Sequence, residues 1–556
     1  MRRSIAGVSA LAFLASLGLS APARAADEPR TIKRDGHSLL HQRVPQEKAA
    51  KKKSAKAAAG LTRSDFDGDG YDDLAASSNA YQYTGPEQLD GMVVIQYSTA
   101  PQVDYVYGVD PPDGDGGNFG DALATGDFNG DGYDDLAVGA PNELDWLNGT
   151  QAGAVWVVPG SSNGLAFELS TYFDQSSPGV PGGSENRDWF GSALATGDLN
   201  GDGNDDLAIG AYGEAIGSKT SAGSVTLLYG SASGLTDSGA QDLYQDQGHV
   251  PGGSETNDSF GYSLAIGDVT GDGYADLAVG APRENENTGD PGSGTVNLMR
   301  GSASGISTTG ATSADGWAIK SATGTADTTA RTLGTALAIG DVNGDGLGDV
   351  ITGAPGSQTP HTNGGLIAAF TGRTNGIASS AVVVIGQRTA GVSGEPETGD
   401  RFGATLSTGD VTGDGLADVL VGAPGEAIGS ATGAGVITLL KGTSGGLTGD
   451  GSQSFDQNHE VVPGGSEAGD RFGGSLALLN WDGLGGLDAV VAAAGEAVGG
   501  DPSGRASGSI SVFQDSSSGL VPQAISVNGQ DLQADFVWPL DYGFEIAGPQ
   551  GGVPRG

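Results

Sequence analysis

The sequence predicts an all-β fold, a seven-bladed β-propeller whose C-terminal segment pairs into the first blade and closes the ring. Three observations predict it. A nine-residue acidic loop recurs from positions 65, 127, 198, 268, 341, 410 and 480, at separations of 62, 71, 70, 73, 69 and 70 residues. From the second copy onward each is followed by a short apolar run such as Leu136-Ala-Val138 or Leu207-Ala-Ile209, closed by Gly-Ala-Pro or a variant. Gly supplies 100 of the 556 residues, and no helical heptad is sustained. A fixed long period signals a repeat architecture, and short apolar runs bounded by Gly and Pro read as strands.

From the N-terminus, Arg2 and Arg3 precede an apolar stretch from Ile5 to Leu19 and an A-x-A site at Ala23-Arg-Ala25. Residues 1–25 therefore read as a secretory signal peptide. The apolar run is about 15 residues, short of the roughly 20 needed to span a bilayer. Residues 26–60 are polar and Lys-rich, with Lys51-Lys-Lys53, and read as a disordered basic linker or pro-segment. Residues 61–556 are expected to form the propeller. They hold 14 basic and 64 acidic groups, a net of −50, which disfavours nucleic acid and anionic membrane as partners. The chain has no Cys, so a secreted fold must be stapled by something other than disulfides.

Each unit from the second onward repeats the same parts. A first strand opens at Phe119-Gly120, Phe190-Gly191, Phe260-Gly261, Leu333-Gly334, Phe402-Gly403 or Phe472-Gly473. The acidic loop follows, then a second strand ending as in Gly280-Ala-Pro282. A third strand such as Gly223-Ser-Val-Thr-Leu-Leu-Tyr229 leads to a closing turn such as Gly230-Ser-Ala-Ser-Gly-Leu235. Four strands in each of seven units describe a propeller. The first unit has no Phe-Gly strand before Asp65. Asp541-Tyr-Gly-Phe-Glu-Ile-Ala-Gly548 at the chain's end offers one, with Tyr542-Gly543 at the Phe-Gly place. Closing the ring this way leaves no open sheet edge.

The loops carry hard oxygen donors at places one, three, five and nine, with a backbone carbonyl available at place seven. The first offers Asp65, Asp67, Asp69 and Asp73 with the carbonyl of Tyr71, and the second Asp127, Asn129, Asp131 and Asp135 with Tyr133. The third has Asp198, Asn200, Asp202 and Asp206 with Asn204, and the fourth Asp268, Thr270, Asp272 and Asp276 with Tyr274. The fifth has Asp341, Asn343, Asp345 and Asp349 with Leu347, and the sixth Asp410, Thr412, Asp414 and Asp418 with Leu416. Flexible all-oxygen sets of this kind suit Ca²⁺. Six sites are expected. The seventh loop, Asn480, Asp482, Leu484 and Asp488, lacks the fifth-place carboxylate and is expected to stay empty. An EF-hand would need a glutamate where Ala76 and Val138 stand, and a helix after it.

A Phe-Gly strand, a DxDGDGxxD-type loop and Gly-Ala-Pro in this order resemble the FG-GAP repeat of the integrin α-chain N-terminal β-propeller, over roughly residues 61–548. The resemblance implies seven blades with Ca²⁺ in the hairpin loops and a role in contacting ligand and partner subunit. A similar propeller accompanies the catalytic domain of glycosylphosphatidylinositol-specific phospholipase D. This chain has no room for the additional zinc domain, so the resemblance implies the propeller and not the hydrolase.

Little in the sequence supports catalysis. His37 and His41 fall in the presumed linker, and His249, His361 and His459 in loops of different units. Gly160-Ser-Ser-Asn-Gly164 and Gly442-Thr-Ser-Gly-Gly446 match a hydrolase elbow, but they occupy the repeated closing turn. The 2–3 loops and blade connections collect at the end opposite the acidic hairpins. They carry Gly213-Glu-Ala-Ile-Gly217, Gly425-Glu-Ala-Ile-Gly429 and Gly495-Glu-Ala-Val-Gly499, with Val-Pro-Gly-Gly-Ser-Glu at 180–185, 250–255 and 462–467. Trp146, Trp189 and Tyr212 lie on the same side. Loops on a rigid scaffold favour binding, while Glu185 and Glu214 are read first as caps of neighbouring loops. The expected function is a secreted, monomeric, calcium-binding module for an extracellular protein or glycan ligand, without catalysis. The alternative is a secreted hydrolase or lyase acting through that loop face on extracellular polysaccharide or lipid-linked glycan.

Overall fold

The computed structural model describes residues 30–34, 37–45, 64–81, 88–98, 102–110, 117–145, 149–284, 293–316, 319, 332–356, 364–378, 382–459, 462, 464–483, 486–496, 508–528 and 546. The chain is all-β and folds as a seven-bladed β-propeller. Six blades are four-stranded antiparallel sheets with the strands in chain order. Blade 2 comprises Ala122–Gly126, Asp135–Ala140, Ala154–Val158 and Thr171–Phe173. Blade 3 comprises Ala193–Gly197, Asp206–Ala211, Ser224–Tyr229 and Thr236–Leu243. Blades 4 to 7 begin with innermost strands Ser263–Gly267, Ala336–Gly340, Thr405–Gly409 and Phe472–Leu479. The second strand of every blade is buried along its whole described length, because it is covered on both faces by neighbouring blades. The core lies between blades: Val225 and Leu227 of blade 3 pack with Leu264, Ile266 and Val279 of blade 4.

The repeated glycines are explained by how closely the blades approach. Gly210 of blade 3 faces the Gly261 carbonyl of blade 4, and a Cβ there would sit 2.2 Å from that oxygen. Gly139, Gly280, Gly353 and Gly422 meet the next blade in the same way. The Phe-Gly glycine itself sits at positive φ, +89° at Gly191, which a side chain rarely tolerates. Its Phe is buried, and the Phe190 N–H donates to the Ala152 carbonyl of blade 2 at 2.8 Å. The Phe-Gly and Gly-Ala-Pro signatures are thus the two halves of one inter-blade contact. Hydroxyls reinforce it, with Thr196 Oγ1 donating to the Thr125 carbonyl at 2.6 Å and Thr405 Oγ1 to that of Gly473 at 2.7 Å.

Blade 1 departs from the pattern. Its strands β3 (Leu74–Tyr81), β4 (Gln88–Gln96) and β5 (Gln102–Asp110) are joined on the outside by β2 (His37–Pro45) and β1 (Arg30–Arg34), in the order β1-β2-β5-β4-β3. This corrects the disordered-linker reading for residues 30–34 and 37–45. On one face of β2, His37, Leu39, His41 and Arg43 all find partners. His37 is buried, stacks on Tyr172 at 4.2 Å and meets Glu143 Oε1 at 2.8 Å. Leu39 is buried in the core between blades 1 and 2. His41 stacks on Phe167 at 4.3 Å. Arg43 makes a bidentate pair with the buried Asp104, both contacts at 2.7 Å. A strand whose inward face is largely polar shows no hydrophobic alternation, and this is why it read as linker.

The ring closes at two levels. Ile546, at the C-terminal end, bridges Ala76 antiparallel and is buried with Leu74, Ala477 and Val490. Ala76 stands three residues after Asp73, as Ile209 stands after Asp206, and Ile209 pairs with Leu194. Ile546 therefore occupies the innermost-strand register that places Tyr542-Gly543 at the Phe-Gly position; Asp541–Glu545 lie outside the described residues. At the hairpin end, the Asp72 carboxylate accepts the Asn480 N–H at 2.6 Å, joining blade 1 to blade 7 across 408 residues.

Candidate functional site

The acidic hairpins form one end of the ring. Within each, the first-place carboxylate folds the loop around itself. Asp127 accepts the N–H groups of Asp131 and Gly132 at 3.1 and 3.0 Å, Asn129 Oδ1 accepts Asp131 N–H at 2.9 Å, and Asp131 accepts Tyr133 N–H at 3.1 Å. The ninth-place Asp135 takes Phe128 N–H and the closing turn's Gly160 N–H, at 3.1 and 2.8 Å. The same scheme recurs at Asp198, Asn200, Asp202 and Asp206, at Asp341, Asn343, Asp345 and Asp349, and at Asp410, Asp414 and Asp418. In the fourth loop Asp268 takes Asp272 and Gly273 N–H, while Thr270 donates its own N–H to Asp276 at 2.9 Å.

In the first loop Asp65, Asp67 and Asp73 bring one carboxylate oxygen each within 4.8 Å of one another, a set that could hold a metal ion. Burial, followed by neighbouring carboxylate charge, pushes Asp69 up to about 7 and Asp73 well above the usual range. Burial likewise raises Asp65 to about 6, against the Gly70 N–H bond that favours its ionised form. Asp135 and Asp206 are pushed to about 7, and Asp276, Asp349 and Asp418 to about 6, again first by burial. Half-buried carboxylates held together are costly as anions, and a divalent cation removes that cost.

The seventh loop lacks the fifth-place carboxylate, as the sequence shows, but a carboxylate from outside the nine-residue window joins it. Asp482 and Asp488 are joined by Asp515, again within 4.8 Å. Asp515 stands in the closing turn where other blades have Gly160 or Gly230, and its N–H donates to Asp488 as theirs do to Asp135 and Asp206. The sequence reading followed the nine-residue window and so missed a carboxylate 33 places after Asp482.

Other residues overlooked in the sequence join the hairpins into a belt. The eighth-place Asp134 accepts Asp65 N–H of the preceding blade at 2.8 Å, and Asp205 accepts that of Asp127 at 3.0 Å. The seventh-place side chains lie over the preceding loop's glycine; a Cβ on Gly68 would meet Tyr133 Cε1 at 2.5 Å, and one on Gly271 would meet Leu347 at 2.3 Å. Asn204 lies over Gly130 in the same way, at 2.4 Å from a Cβ there.

At the opposite end, Trp189 and Tyr212 lie 4.7 Å apart between ring centroids, and Tyr212 and Tyr262 5.3 Å apart. Trp189 Nε1 donates to Asn142 Oδ1 at 3.2 Å. Tyr262 reaches the mouth of a central cavity lined by the innermost strands, including Asp121, Leu194, Leu264 and Leu406. Trp146 and His361 lie outside the described residues. The 2–3 loop glutamates turn inward: Glu214 is buried and accepts Gln175 Nε2 at 2.6 Å. His249 and His459 are exposed on separate blades. Ser161 Oγ donates to the Gly164 carbonyl at 2.6 Å, so the elbow-like string is an ordinary turn. No helix among the described residues is long and apolar enough to cross a membrane.

The FG-GAP repeat model matches residues 119–158, 190–228, 260–297, 333–370 and 402–440, within blades 2 to 6. The chain is 35% identical over 164 residues to a phosphatidylinositol-glycan-specific phospholipase D of Rattus norvegicus, covering 30% of this chain and 18% of that protein. It is 32% identical over 192 residues to integrin alpha-PS2 of Drosophila melanogaster, covering 34% and 12%, and 37% identical over 168 residues to integrin alpha-3 of Cricetulus griseus, covering 30% and 14%. The chain thus spans less than a fifth of the length of these relatives.

Proposed function

This chain is an FG-GAP repeat protein, and from that premise we propose that it is a secreted, monomeric, calcium-loaded propeller that binds an extracellular protein or glycan ligand without catalysing a reaction. The convergence of Asp65, Asp67 and Asp73 carries the reading. Six hairpins from Asp65, Asp127, Asp198, Asp268, Asp341 and Asp410 each take one Ca²⁺, and Asp515 makes the loop at Asn480 a seventh candidate. The ions act as staples in a chain without cysteine. The ligand end is the aromatic group of Trp189, Tyr212 and Tyr262, whose rings offer stacking area beside the cavity mouth.

The test pairs stability with binding. Each site filled at 100 times its Kd adds about 2.7 kcal/mol, so stripping six with EDTA should lower Tm by about 16 °C in a ring of this size. Glycan-array and pull-down signals should vanish with the chelator and weaken at least tenfold in Trp189→Ala. An unchanged Tm in EDTA would remove the calcium reading, and binding indifferent to Trp189 would move the ligand elsewhere. The phospholipase D relatives favour a second reading, a secreted hydrolase or lyase working at the same end. Hydrolysis of a phosphatidylinositol-glycan or polysaccharide by the purified chain would establish it.

A further inference from the structure

We infer that the end of the ring opposite the acidic hairpins holds a second set of divalent-cation sites, one at each of three blade junctions, each built from three carboxylates and a glutamine. The clearest lies between blades 3 and 4. Glu255, Asp258 and Glu284 bring one carboxylate oxygen each within 4.8 Å of one another, and Asp258 and Glu284 are buried. Gln245, 1% exposed, aims its carboxamide at this group, with Nε2 donating to Glu284 Oε2 at 2.6 Å. Two oxygens there, Gln245 Oε1 and Asp258 Oδ1, are buried without a hydrogen-bond partner. Buried oxygens normally find a donor, and two orphans beside three clustered carboxylates point to a missing positive centre.

The arrangement is repeated. Glu185, Asp188 and Glu214 cluster with Gln175, and Glu467, Asp470 and Glu496 with Gln457, in the same geometry. Gln387 donates to Glu426 in the same way, but there Glu397, Asp400 and Glu426 do not bring three oxygens together as closely, and that junction is left out of the assignment. In all four the glutamine is buried and its Oε1 is unpartnered. Gly backbone roofs the groups: a Cβ on Gly252 would sit 2.6 Å from Gln245 Nε2, and one on Gly464 3.0 Å from Glu496 Oε2.

Blade 2 is the informative exception. Gly114 and Gly117 stand in the sequence where blade 3 has Glu185 and Asp188, and Glu143 is the equivalent of Glu214. There the chain brings its own basic group, His37 Nδ1 at 2.8 Å from Glu143 Oε1. Where three carboxylates converge, the demand for positive charge is greater. Burial first of all pushes Glu214 up to about 8 and Asp258 to about 7; Lys219 opposes the shift at Asp258 only as the smallest influence. An all-oxygen set of three carboxylates and an amide has the chemistry of a Ca²⁺ site.

Crystals of the intact chain grown in CaCl2 and in MnCl2 would decide this through anomalous difference maps. Peaks within bonding distance of Glu284, Glu214 and Glu496 are expected. Peaks confined to the acidic hairpins would overturn this inference and leave the calcium reading above intact. Peaks at the triads alone would support it and overturn the hairpin reading. A map with neither would overturn both, the triads then sharing a proton instead. In solution, the variant carrying Glu214→Gln, Glu284→Gln and Glu496→Gln should lose three bound ions per chain by elemental analysis, with its circular dichroism spectrum unchanged. Unchanged ion content in that folded variant would refute the assignment, and the map on the parent chain decides the matter if the variant does not fold.

Discussion

Replacing Gly210 with Ala tests the inter-blade contact directly. Gly210 lies in a regular strand without positive φ, so alanine costs nothing in backbone strain there, and the effect is steric alone. Its Cβ would sit 2.2 Å from the Gly261 carbonyl oxygen and 3.2 Å from Ala193 Cβ. An ordinary carbon–oxygen contact is about 1 Å longer, so blades 3 and 4 must part locally where Val225, Leu264 and Val279 interlock. Overpacking a tight interior in this way costs about 1–3 kcal/mol, and backbone on both sides places Gly210→Ala near 3. A ring of some 490 residues unfolding as one unit has an unfolding entropy near 1 kcal/mol per degree, so Tm should fall by about 3 °C. Differential scanning calorimetry in fixed calcium measures it, with Gly445→Ala as control. A Cβ at Gly445 meets only Thr443 Oγ1, at 3.6 Å. Equal Tm values for the two variants would mean that blade spacing is not set by the Gly-Ala-Pro glycine.

Two further outcomes follow from the site geometry. Arg43→Ala strands the fully buried Asp104 carboxylate with His41 and Tyr97 alone, and should cost about 3–5 kcal/mol in urea unfolding. Burial would raise Asp104, but the Arg43 and His41 bonds hold it below the usual carboxylate range; a loss under 0.5 kcal/mol would show that β1 and β2 are not integral to blade 1. In EDTA, Glu214 at about 8 and Glu426 and Glu496 at about 7, raised first by burial, keep protons that the unfolded chain releases near pH 4.3. Stability from these groups is complete below pH 4.3 and is lost as pH rises through 7 to 8, so Tm in EDTA should fall from pH 6 to pH 8.5. A flat or rising profile would mean these carboxyls are already ionised in the folded chain.

The propeller was legible because its period is carried by residues with a local reason to recur: glycines at close backbone approaches, and acidic loops that fold around their own first side chain. The register of Ile546 on Ala76 was legible too, since the terminal Tyr-Gly copies the Phe-Gly spacing. What escaped were contacts between distant segments. Asp515 reaches the seventh loop from the closing turn, and Asp72 reaches Asn480 from the other end of the sequence. β2 escaped because His37, His41 and Arg43 satisfy polar partners in folded blades, a matching that no hydrophobic pattern records. Glu214 and its counterparts were read as caps, and only their burial beside glutamines revealed the converging carboxylates.

Two stretches far apart in sequence, residues 37–45 and Ile546, enter a single blade, one along its outer rim and the other at the axle. Strands β1 to β5 all lie within the first 110 residues, yet the innermost place beside β3 waits for Ile546. A nascent chain can therefore lay down blades 2 to 7 while the inner edge of β3 at Ala76 is still unpaired, and the circle seals there only with Ile546. A perturbation that keeps Ile546 from Ala76 leaves an open arc with a sticky strand at its lip.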